Sequence, residues 1–207
     1  QRNVFLRDLQ TRQTTLIAGQ SDFPRITPDG RYVSYRRDAD TSSLQVLDRQ
    51  TDRTWVVPST VRRSVGSISD DFRYVALATG DFDSRTVSVL DQQTGQETTV
   101  GEGNDPVLSG AGRFVVYWRS DSPGTWLTDL STLIPERISS RTLIPLSVRA
   151  NRYLLFRLSP NISSAFWSRI VIDRVTGQTL VEDSLAASVS SSGRYVGYVN
   201  PSAVRHD

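Results

Sequence analysis

Apolar positions along this chain fall in short runs in which apolar and polar or small side chains alternate, the period-two signature of half-buried strands. One set of runs ends at an aspartate: Val4-Phe5-Leu6, Leu44-Gln45-Val46-Leu47, Val87-Ser88-Val89-Leu90, Trp126-Leu127 and Ile170-Val171-Ile172. A second set follows an arginine: Tyr32-Val33, Tyr74-Val75, Phe114-Val115, Tyr153-Leu154 and Tyr195-Val196. No segment shows a sustained helical period. No apolar run approaches the roughly 18 residues that a membrane-spanning helix needs, so no membrane insertion is expected.

The two sets recur in phase. Arginine opens the second type of run at positions 31, 73, 113, 152 and 194, steps of 42, 40, 39 and 42 residues. Asp-x-x-Thr closes the first type at Asp8–Thr11, Asp48–Thr51, Asp91–Thr94, Asp129–Thr132 and Asp173–Thr176. Such an aspartate caps the backbone N–H groups of the turn that follows it. A further strand follows each Thr. A small-residue strand centred on Pro24, Gly66, Pro106, Pro145 or Ala187 precedes each Arg. Four short strands in about 41 residues is the pattern of a propeller blade, with the small residues on the innermost strand where backbones crowd.

The expectation is therefore an all-β fold: a five-bladed β-propeller of four-stranded antiparallel blades, one domain over residues 1–207. The chain opens on the third strand of a repeat and ends past the second, so the first and last segments are expected to share one blade and close the ring. A fragment of a larger ring carries the same pattern. The columns make a sharper prediction: hairpin register sets Arg31 roughly opposite Asp48, and likewise Arg73 and Asp91, Arg113 and Asp129, and Arg152 and Asp173, with Arg194 meeting Asp8 only when the ring closes.

Composition narrows the chemistry. All 24 basic residues are arginine, the chain has no cysteine and its one histidine is His206. That excludes disulfides, thiolate sites and cysteine nucleophiles, and one histidine at the penultimate position gives little support to a His-based triad or a multi-His zinc site. A net charge of +2 supplies no strong field for nucleic acid. Only four glutamates are present, at 97, 102, 136 and 182. With Asp22 and Asp105 as the only acids entering inner strands, the carboxylate pair of a glycosidase has little support. The chain begins at Gln1 and contains no methionine, which suggests a piece of something longer.

The motifs resemble the β-propeller repeats named after the TolB periplasmic protein, a WD-repeat-like group of bacterial envelope and secreted proteins. Pro24-x3-Pro28-Asp29-Gly30-Arg31-Tyr32-Val33 is similar to that group's Pro-Asp-Gly signature, and Val4-Phe5-Leu6-Arg7-Asp8-Leu9-Gln10-Thr11 to its strand and turn. Only the first repeat keeps Pro-Asp-Gly intact. The resemblance implies a non-enzymatic scaffold in an extracytoplasmic protein, binding a protein partner through loops on one face, with no catalytic residue carried over. The alternative is a glycan-binding propeller with aromatic pockets between blades.

Two sets of residues are candidate sites. Trp118, Trp126, Phe166 and Trp167 fall at neighbouring connections between second and third strands, a candidate partner-binding rim. Asp38 and Asp40, and Asp81 and Asp83, occupy equivalent connections in the first two repeats. Their oxygens suit Ca²⁺, the one cofactor the sequence admits. Asn161-Ile162-Ser163 matches a glycosylation sequon.

Overall fold

The computed structural model describes residues 2–27, 29–37, 40–57, 63–81, 84–158 and 168–199, with no α-helix among them. The chain groups into two compact units, Gln1–Val65 and Gly66–Asp207.

The first unit holds a two-stranded sheet, β1 (Asn3–Arg7) and β2 (Thr14–Gly19). Beside it lies a four-stranded sheet in chain order, β3 (Ser21–Ile26), β4 (Tyr32–Arg37), β5 (Asp40–Asp48) and β6 (Arg53–Val57). Val4, Ala18 and Tyr35 form its core, with Ile17 and Leu47 packed against them.

The second unit repeats the meander. β7 (Arg63–Ile68), β8 (Tyr74–Thr79), β9 (Thr86–Asp91) and β10 (Glu97–Glu102) form one sheet. β11 (Asn104–Leu108), β12 (Phe114–Arg119), β13 (Gly124–Asp129) and β14 (Pro135–Ser139) form the next. β15 (Leu143–Arg149), β16 (Tyr153–Leu158), β17 (Arg169–Asp173) and β18 (Gln178–Ser184) form the third. β19 (Ala186–Val189) and β20 (Val196–Val199) pair alone. Among the described residues the four whole blades expected appear as four four-stranded sheets, and the two segments expected to share the fifth appear as separate two-stranded ones. The two short sheets correspond to the third and fourth strands of a repeat (β1, β2) and to the first and second (β19, β20).

Alternation explains why the central strands of the second unit are apolar throughout. Successive side chains point to opposite faces. Phe114 and Val116 of β12 pack with Leu143, Leu154, Phe156 and Ile170 of the third sheet. Val115 and Tyr117 turn the other way, into a cluster with Ala76, Val87, Val89 and Leu108. In β16 and β17, Leu155 and Val171 turn away from that first cluster toward Ala187, Val189 and Val196. Each middle sheet is covered on both faces, so neither face can be polar. Inner strands run side by side, with a parallel bridge from Ser109 to Val148 and Leu108 N donating to Ser67 Oγ at 2.6 Å.

The residue before each column arginine adopts a left-handed backbone: Gly30, Phe72, Gly112, Asn151 and Gly193, with φ between 52° and 72°. Glycine and asparagine accept this region readily, which is why Gly-Arg or Asn-Arg marks four of the repeats. Phe72 pays a steric penalty there and is buried, 6% exposed.

Candidate functional site

The columns meet as expected, with the register displaced by one residue, so that the neighbour of each arginine lies directly opposite the aspartate. Tyr32 faces Asp48, Tyr74 faces Asp91, Phe114 faces Asp129 and Tyr153 faces Asp173. The preceding arginine therefore reaches each aspartate. Arg31 forks onto both oxygens of Asp48 at 3.2 and 2.8 Å. Arg152 does the same on Asp173, at 2.8 and 2.5 Å. Arg73 and Arg113 direct Nε and Nη2 at a single carboxylate oxygen of Asp91 and Asp129. The aspartates also accept turn N–H groups, from Gln50, Gln93, Ser131 and Val175. The arginine fork holds all four carboxyls below the usual range, Asp129 at about 2 with help from Ser131.

Each guanidinium also lies over the aromatic ring that follows it. The separations are 4.8 Å for Arg31 on Tyr32, 4.9 Å for Arg73 on Tyr74 and for Arg113 on Phe114, 5.3 Å for Arg152 on Tyr153 and 5.1 Å for Arg194 on Tyr195. Forked pairing and stacking by one side chain is something lysine cannot do, so these positions require arginine. They are structural.

A third column escaped the sequence reading. Thr27, Ser69, Ser109 and Ser190 stand four positions before Arg31, Arg73, Arg113 and Arg194. Each hydroxyl accepts the N–H of the residue after that arginine, at 2.9–3.1 Å. The fourth repeat has Val148 there. Recurrence of Ser or Thr at this offset was the available signal, and a tight turn explains it.

The opposite ends of β12 and β13 carry the candidate rim. Tyr117 faces Trp126 and Trp118 faces Thr125. Both tryptophans are half-buried. Trp118 Nε1 donates to Asp105 at 2.9 Å and Trp126 Nε1 to the Ser122 carbonyl at 3.3 Å. Arg119 lies over the Trp126 ring at 5.2 Å and pairs with Asp121 through Nε at 3.0 Å, holding that carboxyl at about 2. Asp22, read as a strand-end residue, accepts Arg2 at 2.8 Å. Phe166, Trp167, Asn161-Ile162-Ser163 and His206 lie outside the described residues, as do Asp38 and Asp83. Asp40 starts β5, and Asp81 is exposed in the connection after β8. Among the described residues no three His, Cys, Asp or Glu side chains gather as a metal site.

A cavity of about 390 Å³ opens between the second and third four-stranded sheets, at the arginine–aspartate end. Its walls include Tyr74, Val89, Asp91, Gln96, Leu130, Arg113 and Ser131. Its walls come from two sheets, so no pattern within one repeat reveals it.

No family model and no curated protein matches the chain. Solved structures match well. TolB from Acinetobacter baumannii superposes with a TM-score of 0.67 at 18% identity, over 94% of this chain and 53% of that one. An oligogalacturonate lyase from Vibrio parahaemolyticus superposes with a TM-score of 0.67 at 12% identity, over 94% of this chain and 63% of that one. An acylaminoacyl peptidase in complex with a chloromethyl ketone gives 0.58 at 15% identity, over 91% of this chain and 36% of that one. The fold is thus that of the TolB-like β-propellers, and the chain spans about half the length of the A. baumannii TolB. The expectation that the chain is not an enzyme is overturned by the lyase and the peptidase. The same fold carries catalysis, and poverty in histidine, cysteine and glutamate does not exclude it.

Proposed function

We propose that this chain is a β-propeller interaction module of a longer extracytoplasmic protein, and that it binds a protein partner through the face carrying Trp118 and Trp126. The observation that carries this reading is the held, half-exposed Trp118, whose indole N–H is fixed by Asp105, so that its ring is presented at low entropic cost, the character of an interface anchor. Trp126 marks the same strand ends from the other side of the sheet, packed against the Tyr117 cluster and stacked by Arg119. Asp105, Arg119 and Asp121 supply a polar rim around it. A photo-crosslinking amino acid at position 118, expressed in the native host, is expected to give one discrete adduct. The same amino acid at Val175, an exposed turn at the other end of the strands, gives none. Identical adducts from both positions, or none from either, would discard the reading.

We further infer that the ring has five blades and that β1–β2 and β19–β20 are the halves of the fifth. Apolar side chains on the outer strands of both halves are exposed, Phe5 by 58% and Tyr198 by 57%, where their repeat equivalents Ile170 and Phe156 are 2% and 0% exposed. Unpaired strand edges of this kind seek a partner. The register of the other repeats, in which Phe156 faces Ile170, sets Tyr198 opposite Phe5. Facing residues bring Cα atoms to about 4.5–5.5 Å, within reach of a disulfide. Because the chain has no cysteine of its own, the double variant Phe5→Cys/Tyr198→Cys should oxidise to an internal disulfide. Phe5→Cys/Val196→Cys, out of register, should not. Failure of the first pair to close, with the protein folded, rules out the shared blade.

A further inference from the structure

The cavity lies between the β7–β10 and β11–β14 sheets. In the next interface the corresponding space is filled: Arg174, the residue after Asp173, lies over the Phe114 ring at 4.1 Å and donates Nε to the Asn151 carbonyl at 2.6 Å. Phe114 is thereby stacked by two guanidiniums, Arg113 and Arg174. The residue after Asp129 is Leu130, which is shorter and has no charge. Tyr74 is left with Arg73 as its one stacked cation among the described residues, and lines an open cavity instead. This position is a difference between the filled interface and the open one.

Its walls are amphipathic. Tyr74, Val89 and Leu130 form an apolar side. Gln96 brings an amide that both donates and accepts. The hydroxyl of Ser131 retains an acceptor lone pair while donating to Asp129 at 2.7 Å. Arg113 uses Nε and Nη2 on Asp129, and its Nη1 has no acceptor among the described residues. The volume of about 390 Å³ lies in the range of small-ligand sites, roughly 300–1,000 Å³. An aromatic and aliphatic wall facing uncommitted donors and acceptors matches a pyranose ring, which has one C–H face and a belt of hydroxyls.

We propose that this cavity binds a neutral hexopyranose unit, with its C–H face on Tyr74 and Leu130 and its hydroxyls on Gln96, Arg113 and Ser131. This site lies at the opposite end of the strands from the tryptophan face and is independent of the protein-binding reading.

The test uses the full chain with the methyl glycosides of glucose, galactose, mannose and N-acetylglucosamine, titrated to about 50 mM because single-sugar sites bind on the order of millimolar. Amide chemical shifts are the readout. At least one glycoside is expected to perturb Gly112, Arg113 and Leu130 saturably. Leu130→Arg is expected to weaken binding at least ten-fold while keeping the fold. The structure already accommodates arginine at this position twice: Arg174 donates to Asn151 O, and Arg49 to Gly30 O at 2.6 Å. The Gly112 carbonyl is the matching acceptor. Gln96→Ala, an exposed change outside the core, is expected to weaken binding several-fold and gives a second, gentler measure. Absence of binding by all four glycosides overturns the proposal. So does binding that Leu130→Arg and Gln96→Ala leave unchanged, since the sugar would then sit elsewhere.

Discussion

Phe156→Ala is expected to destabilise the Gly66–Asp207 unit by about 4 kcal/mol, the range for truncating a fully buried phenylalanine. Phe156 is completely buried. It lies between Pro145 and Ile170 in the sheet register and belongs to the cluster formed with Phe114, Val116 and Leu127 of the preceding sheet. Its removal leaves a void bounded by two sheets whose spacing is fixed by every other residue in the interface, so the gap cannot collapse. Chemical denaturation measures the loss. Val175→Ala, at a site 66% exposed, is the reference and should change stability by no more than about 0.5 kcal/mol. A cost near the reference value for Phe156→Ala would mean that this interface is not the core.

The second large effect is expected from adding a single methyl group. Gly66 lies on β7, and a Cβ there would stand 2.1 Å from the Pro106 carbonyl oxygen and 2.8 Å from its Cγ. The obstacle is the backbone of the next inner strand, which no rotamer change can relieve. Gly66→Ala is therefore expected to cost about 3 kcal/mol, the upper part of the usual overpacking range. Gly95→Ala separates this steric effect from a conformational one. Gly95 has φ of 74° and nothing within 4 Å of its missing Cβ, so backbone strain of about 1 kcal/mol is the whole expected cost. Equal losses at the two positions would contradict the crowding of inner strands.

Much of the fold was legible in the sequence because it depends on relations within one repeat. Arg113 and Asp129 meet because hairpin register puts Phe114, the residue beside Arg113, opposite Asp129, and register is a local property of two strands and a turn. The same holds for the left-handed residue before each arginine, visible as Gly30, Gly112 and Gly193, though Phe72 shows that tertiary burial can impose the conformation on a residue that resists it. The serine and threonine hydroxyls at 27, 69, 109 and 190 are equally local, each bonding a backbone N–H five residues on.

The sites were harder. Trp118 and Trp126 were readable as neighbours across one hairpin, yet the acceptor for Trp118 is Asp105, one strand further in. The exclusion of catalysis rested on which residue types are scarce, and a fold shared with a lyase and a peptidase shows that scarcity was a poor guide.

By itself, then, the sequence determined the strand order within each repeat and the arginine–aspartate pairs, since both follow from neighbours within one repeat, and the recurrence of the two columns set the period; the small residues on inner strands were visible, but the crowding that requires them arises between sheets. Tertiary structure alone decided what lies between sheets. Leu130 and Arg174 occupy the same place in their repeats, but the ring that one leaves open to a cavity and the other stacks upon is contributed by the preceding sheet. Tyr74 and Phe114 meet those residues only after the sheets have packed.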